Sequence, residues 1–201
     1  MTIPLVAGSF RALVFDCDGT LVDSAPAHLG ALQKAMEPLG LTMTGDWYYP
    51  RVGLGPDALL DQFEEHVAVK GLPRGEILER YDAAFKQCLP LVDEIAVIAE
   101  VAREWHGRVP MAVASNGRRE NVEATLKAAK LLPLFDLIVG AEDVQRGKPA
   151  PDVYLEAARR MKVAPEECIA FEDSDEGLTA ARRAGMRTMD IRQYFSPARG
   201  A

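Results

Sequence analysis

Apolar positions follow different spacings in different stretches of the chain, and each change of spacing predicts a change of element. Leu13, Val14 and Phe15 form a compact β-prone run, the pattern of a strand buried on both faces and therefore central in a sheet. After Thr20 the spacing becomes helical. Leu29, Leu32, Met36 and Leu39 recur at intervals of three and four before Gly40 stops the run. A polar and aromatic connection, Thr42 to Pro50, leads to a second amphipathic helix through Leu59, Leu60, Phe63 and Val67, closed by Gly71. A third helix, through Ile77, Tyr81, Phe85 and Cys88, is closed by Pro90. Between Asp23 and Pro90 no strand pattern is found, so residues 23–90 read as a helical insert.

From Leu91 the pattern alternates. Ile95, Ile98, Ala102 and Trp105 predict a helix, and the run from Val109 to Ala114 predicts a strand ending at Ser115-Asn116-Gly117. Val122, Leu126 and Ala129 mark the next helix, and Phe135 to Val139 a third strand. Tyr154, Ala157, Ala158 and Met161 share a helix face, and Cys168 to Phe171 form a fourth strand. Leu178, Ala181 and Ala184 face inward from a helix stopped by Gly185, and Met186 to Ile191 predict an outer strand before a frayed tail, Ser196 to Ala201. Strands alternating with helices predict an α/β fold, a Rossmann-like parallel sheet flanked by helices. Residues 1–22 and 91–201 would form this core, with 23–90 inserted as an α-helical cap after its first strand. In that position the insert would stand over the first strand's carboxyl end like a lid.

Composition narrows the class. With 201 residues, 48% apolar and 26% charged, the chain can bury a real core, and no apolar run approaches the ~20 residues that span a membrane. The opening Met1 to Phe10 lacks the basic segment and long apolar run of a secretory signal, so the expected location is cytoplasmic. A monomer is expected. The three cysteines, Cys17, Cys88 and Cys168, are scattered beside apolar runs with no metal-ligand spacing, which favours buried small hydrophobes. A net charge of -7 without basic patches argues against nucleic acid as a partner. It still allows a small phosphorylated metabolite, because charges beyond a Debye length of ~8 Å are largely screened.

Candidate chemistry gathers where apolar runs end. Leu13-Val-Phe-Asp16-Cys-Asp18-Gly19-Thr20 closes a buried strand with two carboxylates, and period-two geometry sends Asp16 and Asp18 to one side with Cys17 pointing away. Asp-Gly is a common turn signal, which explains Asp18 and Gly19 but not Asp16. Two such charges need a cation beside them or a shared proton, and open α/β sheets bind ligands at this edge. Ser115-Asn116-Gly117 opens a helix after the second strand, where it can cap the helix or cradle a phosphate. Lys148, in Arg146-Gly-Lys148-Pro-Ala-Pro-Asp152, is held extended by the following proline and can reach into a site from its loop. Glu172 and Asp173 repeat the opening logic, a buried strand running into adjacent acids before a helix, and look like magnesium ligands; one acid could instead cap the helix with Ser174, which accounts poorly for two.

Four such segments in this order resemble the motifs of the haloacid dehalogenase (HAD) superfamily, over about the whole chain. LVFDCDGTLVDS is similar to its first motif, Ser115-Asn116-Gly117 to its second, RGKPAPD to its third and FEDSDEGLTAARRAGM to its fourth. The resemblance implies a HAD-like core and a phosphatase in which Asp16 is the nucleophile and Asp18 the general acid and base. Ser115, Asn116 and Lys148 would hold the phosphoryl oxygens. Mg2+ would be bound by Asp16, Asp18 through its main-chain carbonyl, Asp173 and Glu172. The small helical insert resembles caps of the β-phosphoglucomutase-like branch, in which His28 matches a histidine of sugar-phosphate enzymes. His28 also reads as a solvated helix histidine. Arg51 and Arg80 could meet sugar hydroxyls or a second anionic group, or lie on a solvated face. The stretch from Pro90 to Val113 is similar to small bacterial phosphatases acting on fructose 1-phosphate and related sugar phosphates. A phosphomutase is the alternative, although Gly53-Leu-Gly-Pro56-Asp57 supplies no arginine of the kind that grips a distal phosphate in the mutases. An inactive phosphate-binding protein of the same fold is a further alternative, disfavoured by the complete set of acids and the lysine.

Overall fold

The computed structural model describes residues 3, 5 and 8–195. It divides the chain into two compact units, one running to Ser24 and resuming at Val92, the other spanning Ala25–Leu91. The first unit begins with β1 (Ala12–Phe15) and a short β2 (Val22–Asp23). The second unit holds α1 (Ala25–Met36), α2 (Gly45–Tyr48), α3 (Pro56–Val67) and α4 (Arg74–Cys88). The first unit then continues with β3 (Asp93–Glu94), α5 (Ala96–Trp105), β4 (Met111–Ala114), α6 (Arg119–Ala128) and β5 (Leu137–Val139). It ends with α7 (Asp152–Met161), β6 (Cys168–Glu172), α8 (Asp175–Arg183) and β7 (Arg187–Asp190). Among the described residues no helix is long and apolar enough to cross a membrane.

Five strands form one parallel sheet in the order β5-β4-β1-β6-β7, flanked by helices as the alternating pattern predicts. All four residues of β1 and β4 and all five of β6 are buried. That is why these runs carry no alternating polar positions. The chain leaves β1 toward β4 and β5, then returns to β6 and β7 on the other side, so β1 borders the point where the order reverses. Ligands bind outside the carboxyl ends of the strands at such a point. Register brings those ends level: Phe15 is paired with Phe171 on one side and Val113 on the other. The Phe15 and Phe171 rings stack with centroids 4.7 Å apart. Ala12, Val14, Ala112, Tyr154, Ala157, Ala170 and Ala181 share one core cluster between sheet and helices.

Three expectations need correction. The connection from Thr42 to Pro50 contains α2, whose Trp47 and Tyr48 are buried. One helical turn is too short to display a 3.6-residue period, and the Trp47 ring against Phe63 at 5.0 Å is what fixes it. Helix α3 ends at Ala68, which takes φ 54° and donates its N–H to Glu64 and Glu65 carbonyls, before Gly71 is reached. The two-residue strands β2 and β3 pair antiparallel and escaped the sequence pattern because each is too short to alternate. The tail from Ser196 lies outside the described residues.

Within the first unit a buried-edge ion network ties α6 and α7 to the loop after β5. Asp143 accepts from Arg119 (2.6 and 2.5 Å), Arg160 (2.7 Å) and the Gly140 N–H (2.8 Å). Burial opposes its ionised form, but these donors outweigh burial and hold its carboxyl at about 2 instead of 3.8. A depressed carboxyl stabilises the fold fully above its unfolded value and loses that contribution as pH falls from about 4 toward 2. Asp143→Asn should therefore flatten the fall in unfolding free energy across that window, measured by urea unfolding at successive pH values. An unchanged slope would remove Asp143 as its source.

Candidate active site

Strand β1 stops at Phe15, and the Asp16 N–H donates to the Phe171 carbonyl at 3.0 Å, holding the next residue against β6. The chain then turns on the Cys17 carbonyl, which accepts N–H groups of Thr20 (3.3 Å), Leu21 (2.9 Å) and Val22 (3.2 Å). Strand alternation therefore does not extend to Asp18, as the sequence pattern had suggested. The Asp18 carboxylate accepts from the Ser24 hydroxyl at 2.6 Å. Asp16, Glu172 and Asp173 each present an oxygen within 4.8 Å of the others. Their meeting follows from the β1–β6 register, which brings the residues after Phe15 and Phe171 side by side.

Each acid of the group is held from outside it. Asp173 accepts the Thr20 hydroxyl at 2.9 Å and packs onto Gly19, where a Cβ would lie 2.3 Å from its Oδ2. With φ at 85°, Gly19 is required by both conformation and space. Glu172 is wholly buried, and both its oxygens are taken. Oε1 accepts Lys148 Nζ (2.5 Å) and the Tyr154 hydroxyl (2.6 Å). Oε2 accepts the N–H groups of Asp173 (3.2 Å) and Ser174 (3.3 Å) and the Ser174 hydroxyl (3.1 Å). Gly177 makes room for it, since a Cβ there would sit 1.9 Å from Oε1. Five donors on one carboxylate make Glu172 an anchor for neighbouring groups, and it also offers an oxygen to the Asp16–Asp173 group that could hold a metal.

Lys148 reaches this group from the loop before α7, its Nζ 2.5 Å from both Asp16 Oδ1 and Glu172 Oε1. Asn116 fixes the lysine's main chain in a reciprocal pair: its side-chain oxygen accepts the Lys148 N–H at 2.8 Å, and its amide donates to the Lys148 carbonyl at 3.3 Å. The Lys148–Pro149 peptide is cis. Ser115, also buried, accepts the Gly117 N–H at 2.9 Å through Oγ, which leaves its proton to be donated elsewhere.

Burial raises the Asp16 carboxyl well above its usual range against the pull of Lys148, and burial together with Glu172 raises Asp173 to about 6. Burial also disfavours the Lys148 ammonium, but Asp16 and Glu172 outweigh it and hold the amine well above its usual value. One ammonium thus faces three carboxyl groups, two of which burial and neighbouring acids push toward the protonated form, a strain that a cation among their oxygens would relieve. The donors are hard oxygens, few in number, a set that fits magnesium.

His28 and Arg51 lie in the helical unit. His28 meets the Tyr81 hydroxyl through Nδ1 and stacks on Phe85 at 4.7 Å. Arg51 lies over the Trp47 ring at 4.3 Å and donates to the Trp47 carbonyl at 2.7 Å and Gln62 at 3.0 Å. The sequence pattern assigns no role of their own to Thr20, Ser24 and Tyr154. The first two follow directly on the acidic motif and could have been noticed as short hydroxyl residues beside it. Tyr154 was read as an apolar helix position, and nothing in the sequence distinguishes its hydroxyl from a solvated one.

Known proteins are similar to this chain. Residues 10–185 match the haloacid dehalogenase-like hydrolase family. The fructose-1-phosphate phosphatase YqaB of Escherichia coli is 34% identical over 91% of this chain and 97% of its own length. A phosphorylated carbohydrates phosphatase of Thermotoga maritima is 27% identical, over 88% and 82%. The crystal structure of CbbY from Rhodobacter sphaeroides in complex with phosphate superposes with a TM-score of 0.77 at 29% identity, covering 89% of this chain and 84% of that one. By the match across its length and the fold it adopts, the chain belongs to the haloacid dehalogenase-like hydrolases.

Proposed function

We propose that this phosphoric monoester hydrolase removes phosphate from a small sugar phosphate of the fructose 1-phosphate kind, with Asp16 as nucleophile. An Asp16 carboxylate oxygen attacks phosphorus in line, the ester P–O bond breaks, and Asp18 gives its proton to the leaving oxygen. Water then attacks the aspartyl-phosphate, Asp18 takes a proton from it, and the bond to Asp16 breaks to release phosphate. Lys148, the Ser115 hydroxyl and the Asn116 main-chain N–H hold the transferring oxygens, since phosphoryl transfer depends mainly on positioning and charge stabilisation. Asp16, Asp173 and the Asp18 carbonyl would hold Mg2+, which when bound reduces the repulsion between anionic nucleophile and anionic phosphate.

The observation that carries this reading is the gathering of three acidic side chains around one buried lysine at the sheet's carboxyl edge. Similarity to YqaB over nearly both full lengths supports the substrate class. The three buried, unpaired cysteines support a reducing, cytoplasmic setting. The test is phosphate release from a panel of sugar phosphates. Turnover should be highest on sugar 1-phosphates, vanish with a chelator and return with added magnesium. Silence across the panel in magnesium would refute hydrolysis. Glucose 1-phosphate isomerised without free phosphate would replace the hydrolase with a mutase.

A further inference from the structure

Tyr154 is fully buried on α7 among Val153, Ala157 and Ala158, where a phenylalanine would fill the same space. Packing alone therefore does not account for its hydroxyl, and a buried hydroxyl needs a partner. That partner is Glu172 Oε1 at 2.6 Å, the same atom that accepts Lys148 Nζ at 2.5 Å. The Tyr154 ring also faces the lysine, with Nζ 5.1 Å from its centroid. One side chain thus touches both members of the pair without belonging to any of the four acidic, hydroxyl or lysine motifs.

We propose that Tyr154 is a positioning residue for Lys148: by sharing Glu172 Oε1 it keeps the ammonium divided between Glu172 and Asp16, aimed at the transferring phosphoryl oxygens. This rests on the reading of Lys148 as a phosphoryl holder. A carboxylate oxygen with two strong donors binds each less tightly than one donor alone, so the tyrosine weakens the hold of Glu172 on the ammonium. Without the hydroxyl, Lys148 is the sole strong donor to Oε1 and is drawn toward Glu172, away from Asp16 at 2.5 Å. Cation–π attraction survives in a phenylalanine, so Tyr154→Phe isolates the hydroxyl.

The experiment measures inorganic phosphate binding by calorimetry in saturating magnesium, a readout independent of turnover, with kcat and KM alongside. Tyr154→Phe should keep the wild-type circular dichroism spectrum, weaken phosphate binding about tenfold and lower kcat by a similar factor. Glu172→Gln reaches the lysine from the other side and should weaken phosphate binding to the same order. Adding Tyr154→Phe to it should change affinity less than about twofold, because the shared charged oxygen is already gone. Ala157→Gly, a destabilising change on the same helix that carries no polar group, should lower the melting temperature and leave phosphate affinity unchanged. Wild-type phosphate affinity in Tyr154→Phe, or full additivity with Glu172→Gln, would overturn the role of Tyr154. A wild-type protein that binds no phosphate would instead refute the functional reading.

Discussion

Asp16→Asn should abolish phosphate release, by more than about 10⁴-fold, while the protein remains folded. A carboxamide is no nucleophile toward phosphorus, and losing a nucleophile that works as part of a unit has effects of this order or larger. The fold should tolerate the change because asparagine keeps the shape, burial already disfavours the ionised Asp16, and Lys148 retains Glu172 as a partner. Phosphate release over hours, set beside the thermal melt of the same preparation, tests both halves. Undiminished turnover with an intact melt would mean that another group attacks phosphorus.

Lys148→Met should cost stability as well as activity. The lysine side chain is 5% exposed and pairs with two carboxylates, of which Glu172 is wholly buried and Asp16 nearly so. Methionine keeps the unbranched stem, so the loss is chiefly the charge. Removing one partner from a buried ion pair leaves an uncompensated charge and costs about 3–5 kcal/mol. At roughly 2–4 °C per kcal/mol for a chain of this size, the melting temperature in chelator should fall by about 10 °C. Magnesium should recover part of that fall, because a cation then balances the acids that the lysine had balanced. A variant within about 1 kcal/mol of wild type in chelator would show that the carboxylates relax or take up protons without cost.

Both effects arise from the same crowding of charge, and its parts differ in how far they could be read in advance. β1 and β6 were legible because strands buried on both faces are uninterrupted apolar runs, and the acids stood out at their ends. Helices α1, α3 and α4 were legible from their spacing, but α2 was not, since a single turn sets no period. Lys148 could be singled out as a loop lysine between glycine and proline. Its two carboxylate partners could not, because they lie 132 and 24 residues away.

Asn116 and Glu172 illustrate the same limit from the other side. Their types are legible, but not their partners: the Asn116 side chain is paired with the Lys148 main chain, and both Glu172 oxygens carry donors. The sequence by itself determined the order of strands and helices, the apolar core and the kinds of charged group at the strand ends, because these follow from local periodicity and composition. Only the tertiary structure decided which charge meets which, that Tyr154 joins them, and that three acidic groups close around one lysine in the buried site. Pairing depends on strand register and loop path, which no local pattern records.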